Sequence, residues 1–330
     1  MCTLSFFGNF SIRVLTPPTT FRSERLVVSI ALAIPQLQEL TLDRIARSQI
    51  HAPDLFGTFI PTVIGDNDIE DHPVVGSALS LPSLLQIPTL QQLRIRDTHL
   101  GDRRWENATC LAPLSVLDLG SCCHVSPEVG RTHAEVVVRN VARASPINRL
   151  AIATGLNQTE FQHSTTPLKS LRHLELTSFF PVDGIPDTLS TLSGSPIETV
   201  AVQGFNDDVE DLCESLETFL NNRVERGPDQ FHQHLKNLII TLVPLEGDEE
   251  TTGLSSTQLY EMLEEDQRDA IKELEDFCRD LGLACGVLGI GAADGCCAGA
   301  VGFDGPRHTS VRNSVEEVVP ISKALTFSCS

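Results

Sequence analysis

"LAPLSVLDLGSCC", residues 111–123, sets Leu114, Leu117, Leu119 and Cys122 in an L-x-x-L-x-L-x-x-C arrangement. Side chains alternate along a strand, so the two leucines of an L-x-L share one side and the residue between them takes the other. The pattern recurs along the chain. "LQELTL" supplies Leu37, Leu40 and Leu42; "LQQLRI" supplies Leu90, Leu93 and Ile95; "INRLAI" supplies Ile147, Leu150 and Ile152. "LRHLEL" gives Leu171, Leu174 and Leu176, "IETVAV" gives Ile197, Val200 and Val202, and "LKNLII" gives Leu235, Leu238 and Ile240. The chain opens on a partial copy, "LSFFGN", with Leu4, Phe6 and Asn9, which makes eight candidate rungs.

The last apolar positions of these rungs, 6, 42, 95, 119, 152, 176, 202 and 240, lie 36, 53, 24, 33, 24, 26 and 38 residues apart. The shortest steps match the roughly 20–29-residue period of leucine-rich repeats. The step of 53 reads as an insertion around "GDNDIEDHP", because no clear L-x-L survives there. Between rungs the apolar period changes from 2 to about 3.6, the switch from strand to helix. Val209, Leu212, Cys213, Leu216, Phe219 and Leu220 form one helical stripe, and "SPEVGRTHAEVVVRNVARA" starts with Ser126 as N-cap and Pro127 at the first helical position. "SERLVVSIALAI" and "PDTLSTLSG" are shorter helices ending just before a rung. One strand-helix unit cannot hide its apolar face alone, so neighbours must stack. The spacing predicts an α/β leucine-rich-repeat solenoid, a horseshoe with a parallel strand array on its concave face and irregular helices outside. The asparagine or cysteine expected three residues after the last leucine survives only at Asn9 and Cys122, with Thr98 as a weaker substitute.

Three regions are expected: residues 1–245 as the solenoid, 246–288 as a capping helix with one last strand, and 289–330 as a loose Gly/Cys-rich tail. The cap is predicted as a single helix across "SSTQLYEMLEEDQRDAIKELEDFCRDLG", with Ser255 and Gln258 as a capping box and Gly282 as its stop. "LACGVLGI" supplies the last strand.

A net charge of −20, from 24 basic against 44 acidic residues, repels a phosphate backbone and an anionic membrane surface, so neither nucleic acid nor membrane is an expected partner. The ten cysteines show no C-x-x-C pair and read as reduced thiols. "MCTLSFFGNF" lacks the basic n-region of a signal peptide and "VVSIALAI" is too short to span a bilayer; a cytoplasmic or nuclear protein is expected.

The rungs and the irregular helices between them resemble the leucine-rich-repeat portion of F-box/leucine-rich-repeat-like proteins of the divergent fungal type, over about residues 4–285. In that family an F-box binds the adaptor of a ubiquitin ligase and the repeats recruit the substrate. The present sequence starts inside a rung at Leu4 with no helical module before it and carries no F-box, so ligase-adaptor binding is not expected and only the recruiting half carries over.

No catalytic residue, cofactor or metal site is expected. "GIGAADG" misplaces the third glycine of a dinucleotide fingerprint, and "CCH" at 122–124, "HQH" at 232–234 and Cys296–Cys297 lack zinc spacing; His232 and His234 read as a solvated turn. The candidate surface is the row looking out of the sheet. Arg94, Arg96, Asp118, Arg149, His173 and Glu175 are the expected contacts with a protein partner or substrate, with Arg103, Arg104 and Trp105 at the rim. Trp105 has the equal alternative of packing beneath its own loop. The competing classes are an enzyme or ligand-binding protein built on the Gly/Cys-rich tail, and a truncated chain without independent function.

Overall fold

The computed structural model describes residues 10–14, 22–53, 62–63, 66–73, 75–120, 127–156, 168–243 and 256–289. The chain divides into two units, Met1–Ala293 and Asp294–Ser330, and every described residue belongs to the first. Among the described residues nine strands make one parallel sheet: β1 (Phe10–Val14), β3 (Leu37–Asp43), β6 (Gln92–Arg96), β7 (Val116–Leu119), β8 (Arg149–Ile152), β9 (His173–Leu176), β10 (Thr199–Gly204), β11 (Asn237–Leu242) and β12 (Ala284–Gly289). Their spatial order is their chain order, and the sheet does not close into a barrel. Short strands β2 (Arg22–Ser23), β4 (Ile45–Ser48) and β5 (Thr62–Val63) form a separate three-stranded sheet.

The register is the one that the aliphatic triplets call for. Leu40 pairs with Leu93, Leu93 with Leu117, Leu117 with Leu150, Leu150 with Leu174, Leu174 with Val200, and Val200 with Leu238. A column of apolar side chains therefore runs across the sheet, and all of these residues are buried. The leading aliphatic of each rung, from Leu37 to Leu235, is buried as well. Helices α1 (Glu24–Leu32), α2 (Pro127–Ala144), α3 (Ile185–Thr191), α4 (Val209–Arg226) and α6 (Glu265–Asp280) add buried residues to the same core, and a short helix α5 (Ser256–Glu261) precedes α6. Val27, Val138, Leu189, Leu216 and Leu274 are their buried members against the leucine columns.

The first rung differs from its expected place. The strand that pairs with β3 is Phe10–Val14, with Ile12 opposite Leu40 and Val14 opposite Leu42, whereas Leu4, Phe6 and Asn9 lie outside the described residues. The long step between Leu42 and Ile95 is an insertion, since β3 pairs directly with β6 and the only strands the intervening described residues add belong to the small sheet. Thr98 does the work expected of the missing asparagine: its hydroxyl accepts from Ile45 N at 3.0 Å and donates to Arg96 O at 2.8 Å. Cys122, Ser126 and the Gly/Cys-rich tail fall outside the described residues.

The single capping helix expected across 255–282 is instead two. Helix α5 stops at Glu261 and α6 begins at Glu265, with Glu264 as its N-cap and Gln267 completing a capping box; Ser255 lies outside the described residues. Leu263, buried, lies in the turn between the two helices and tucks into the core there. Gly282, at φ +70°, ends α6 in the left-handed conformation that glycine adopts without a Cβ penalty.

The insertion is held by a buried ionic cluster that the sequence pattern does not announce. Arg47 Nε donates to Glu24 Oε2 at 2.9 Å, its Nη1 to the carbonyls of His99 and Gly101, and its Nη2 to Asp102 Oδ2 at 3.1 Å. Glu24 also accepts from the backbone of Ser48 and Leu81. Arg25 donates to the carbonyls of Asp66, Ile69 and Ser77. Glu24, Arg47 and Asp102 are thus paired and hydrogen-bonded, and Arg25 is bonded to three carbonyls, conditions under which charges survive in a core.

Candidate protein-recognition face

The face of the sheet opposite the helices is set by the same register that aligns the leucines. One row runs Glu39, Gln92, Val116, Arg149, His173, Thr199 and Asn237. The next runs Thr41, Arg94, Asp118, Ala151, Glu175, Ala201 and Ile239. The spacing between parallel strands, roughly 5 Å, lets neighbours in a row touch. They do so through a cross-strand net. Gln92 Nε2 donates to Glu39 Oε1 at 2.9 Å; Arg96 donates twice to Asp118 Oδ2, at 2.7 and 3.1 Å; Arg94 Nη1 stands 4.0 Å from the same oxygen. Arg149 Nη2 donates to Glu175 Oε2 at 2.8 Å, and Gln203 Nε2 donates to Glu175 Oε1 at 2.7 Å.

Five of the six expected contact residues, Arg94, Arg96, Arg149, His173 and Glu175, therefore lie on one surface and are at least partly exposed. Asp118 does not belong with them. It is only 2% exposed, its Oδ1 accepts from Gly120 N at 2.9 Å and its Oδ2 is taken up by Arg96, so it orients the arginines from beneath the surface. His173 is exposed beside Arg149. Partial desolvation and then the Arg149 charge lower its pKa, with Glu198 opposing them, so the ring is held toward its neutral form.

The expected rim is also corrected. Trp105 is 0% exposed, inside the short 3-10 helix Arg103–Asn107, and its Nε1 donates to Leu100 O at 2.8 Å. A ring of that size gains more from the core than from a loop surface, and its one polar atom finds a carbonyl. Arg104 is half-exposed but committed to Asp102, with Nε and Nη2 at 3.0 and 2.9 Å; Arg103 is exposed. His232, expected on a solvated turn, is buried at φ +52°, and its Nε2 bonds Leu189 O at 2.8 Å, whereas His234 is exposed.

Two further features flank the face. Where the strands begin, Glu198 is bonded by Arg172 at 3.1 Å and Lys236 at 2.9 Å; the Lys236 hydrogen bond holds its carboxyl below the usual carboxylate range. Where strands β9 and β10 end, Phe179 and Phe205 meet edge to face with centroids 5.7 Å apart, and Phe179 is 46% exposed. Both groups carry a sequence signal. Arg172, Glu198 and Lys236 each follow the leading aliphatic of a rung, and Phe179 and Phe205 each stand three residues after its last one. Beyond Glu175 the face changes character, with Ala201 and Ile239 continuing the second row without a charge.

Among the described residues no three His, Cys, Asp or Glu side chains converge on a site that would hold a metal ion, and no helix is long and apolar enough to cross a membrane. Comparison of the chain with protein-family models, with curated proteins and with solved structures returns no match.

Proposed function

We propose that the chain is a leucine-rich-repeat solenoid whose strand face, concave in such a stack, recognises another protein without catalysing a reaction. The observation that supports this most is the cross-strand net of Arg94, Arg96, Arg149, Glu175 and Gln203, which fixes polar side chains in an ordered array on the sheet face opposite the described helices. Side chains already held in place lose less entropy when a partner binds, and alternating charge selects partners and speeds encounter. The partner fitted to it has the complementary pattern: carboxylates against Arg94 and Arg149, and an apolar segment against Ala201, Ile239 and the exposed Phe179. By resemblance, the partner is a protein handed to a ubiquitin ligase, and an intracellular setting follows from that role.

Affinity capture with the wild-type chain and with the Arg94→Glu/Arg149→Glu variant tests the reading. Proteins retained by the wild type and lost by the variant, with both chains melting at the same temperature, support it. Identical retention by both overturns it.

A further inference from the structure

The sheet ends on a pair of thiols. Cys278 lies in the last turn of α6 and is fully buried; Cys285 lies on β12, half-buried, and is opposite Leu238 in the apolar column. Its side chain therefore faces the helix layer. Among the described residues β12 has β11 as its one neighbour, so the other flank of Cys285 is not covered by a strand. Cys278 belongs to the buried core and Cys285 packs against that core, and each thiol is near enough to shift the other's protonation. A tight turn holds them there: Leu281 N donates to Phe277 O, Leu283 N donates to Cys278 O at 2.9 Å, and Gly282 sits at φ +70° between.

We propose that Cys278 and Cys285 are an oxidation site, in which a small-molecule disulfide of the oxidised-glutathione class converts the two thiols into a bond tying the last helix to the last strand. The remaining described thiols lack this arrangement. Cys110 is occupied by Ala112 O and Ser145, and burial pushes the Cys213 thiol up to about 12. The interaction between them also divides the roles within the pair. It lowers the pKa of Cys285 and, together with burial, raises that of Cys278, so Cys285 ionises first.

Cys285 releases its proton to water, and its sulfur attacks one sulfur of the small disulfide. That S–S bond breaks, and the departing thiolate takes up a proton. Cys278 then loses its proton to solvent and attacks the Cys285 sulfur of the mixed disulfide; the second small thiolate leaves and is protonated. Two protein thiols are oxidised, and one small disulfide becomes two small thiols. The product crosslinks β12, which among the described residues has β11 as its one strand neighbour, to the last helix.

Peptide mapping without reductant, after the full chain is incubated with oxidised glutathione and its remaining thiols are alkylated, tests the proposal. A Cys278–Cys285 link is expected, with the peptide pair lighter by two hydrogens and the melting temperature raised. The Cys278→Ala chain is expected to stop at a glutathione adduct on Cys285, and the Cys285→Ser chain to form neither. Should the buried Cys278→Ala substitution prevent folding, the wild-type map and the Cys285→Ser chain still decide. Recovery of Cys278 and Cys285 both alkylated in the wild type, or of Cys285 joined to Cys213, Cys296 or Cys297, overturns the proposal.

Discussion

Glu24 and Arg47 are both 0% exposed, and the ion pair between them is one link of a chain running on to Asp102 and Arg104. Neutralising Glu24 leaves Arg47 charged and buried with one carboxylate fewer. Glu24→Gln is therefore expected to cost about 3–5 kcal/mol in urea unfolding, whereas a combined Glu24→Gln/Arg47→Met change loses less than the single one. His232 and His99 act on pH dependence in the same direction. Burial lowers both to about 4 from an ordinary 6.5, so between those values the unfolded chain holds protons that the folded chain lacks. Stability is full above about pH 6.5 and falls as pH drops toward 4. His232→Asn tolerates the positive φ, and its stability should fall less steeply than wild type over that window. On the sheet face, Arg149→Ala removes one of the two influences lowering the pKa of His173. An NMR titration should show that pKa rising, yet staying below the ordinary value because desolvation remains.

Elements in this chain are bounded by local chemistry that single residues report. Gln267 closes the capping box of α6 through Glu264 N at 3.0 Å, and its Nε2 reaches Asn206 O at 2.9 Å, just before α4. Gln267→Ala should cost about 0.5–2 kcal/mol, since both a cap and an inter-element bond go. Gly282 is a cleaner case. A Cβ there would meet nothing within 4 Å, so Gly282→Ala carries only the backbone penalty of a positive φ, about 1–2 kcal/mol. Equal destabilisation by Gly282→Ala and by an alanine on the exposed face of α6 would refute that reading. Helix α1 shows why the amphipathic pattern was readable and its polar partner was not. Val27 and Val28 announce their burial by spacing, whereas Glu24 is buried by Arg47, which arrives 23 residues later.

At the scale of the whole sheet, stability is shared between neighbours rather than held in one centre. Leu174, 1% exposed on β9, contacts the columns of β8 and β10 on either side. Leu174→Ala is expected to cost about 2–5 kcal/mol. Hydrogen exchange should speed up in β8 and β10 as well as in β9; a loss of protection confined to β9 would contradict a stacked core. The proposed recognition face obeys a different rule. Arg149 and Glu175 are partly solvated, and surface pairs of this kind are worth about 0–1 kcal/mol, so charge changes there should alter binding and leave folding intact.

Sequence alone determined β3 and the strands from β6 to β11, because an aliphatic triplet with period 2 declares which side is buried whatever its neighbours are. It also determined the alternating polar rows, which follow from that choice by parity. Only the tertiary structure decided that Asp118 and Trp105 are buried and that α5 and α6 are separate. It alone joined Glu24 to Arg47 and brought Cys278 against Cys285. Periodicity encodes the face a side chain takes, but the partner that meets it there comes from another rung, and distance along the chain carries no record of that meeting.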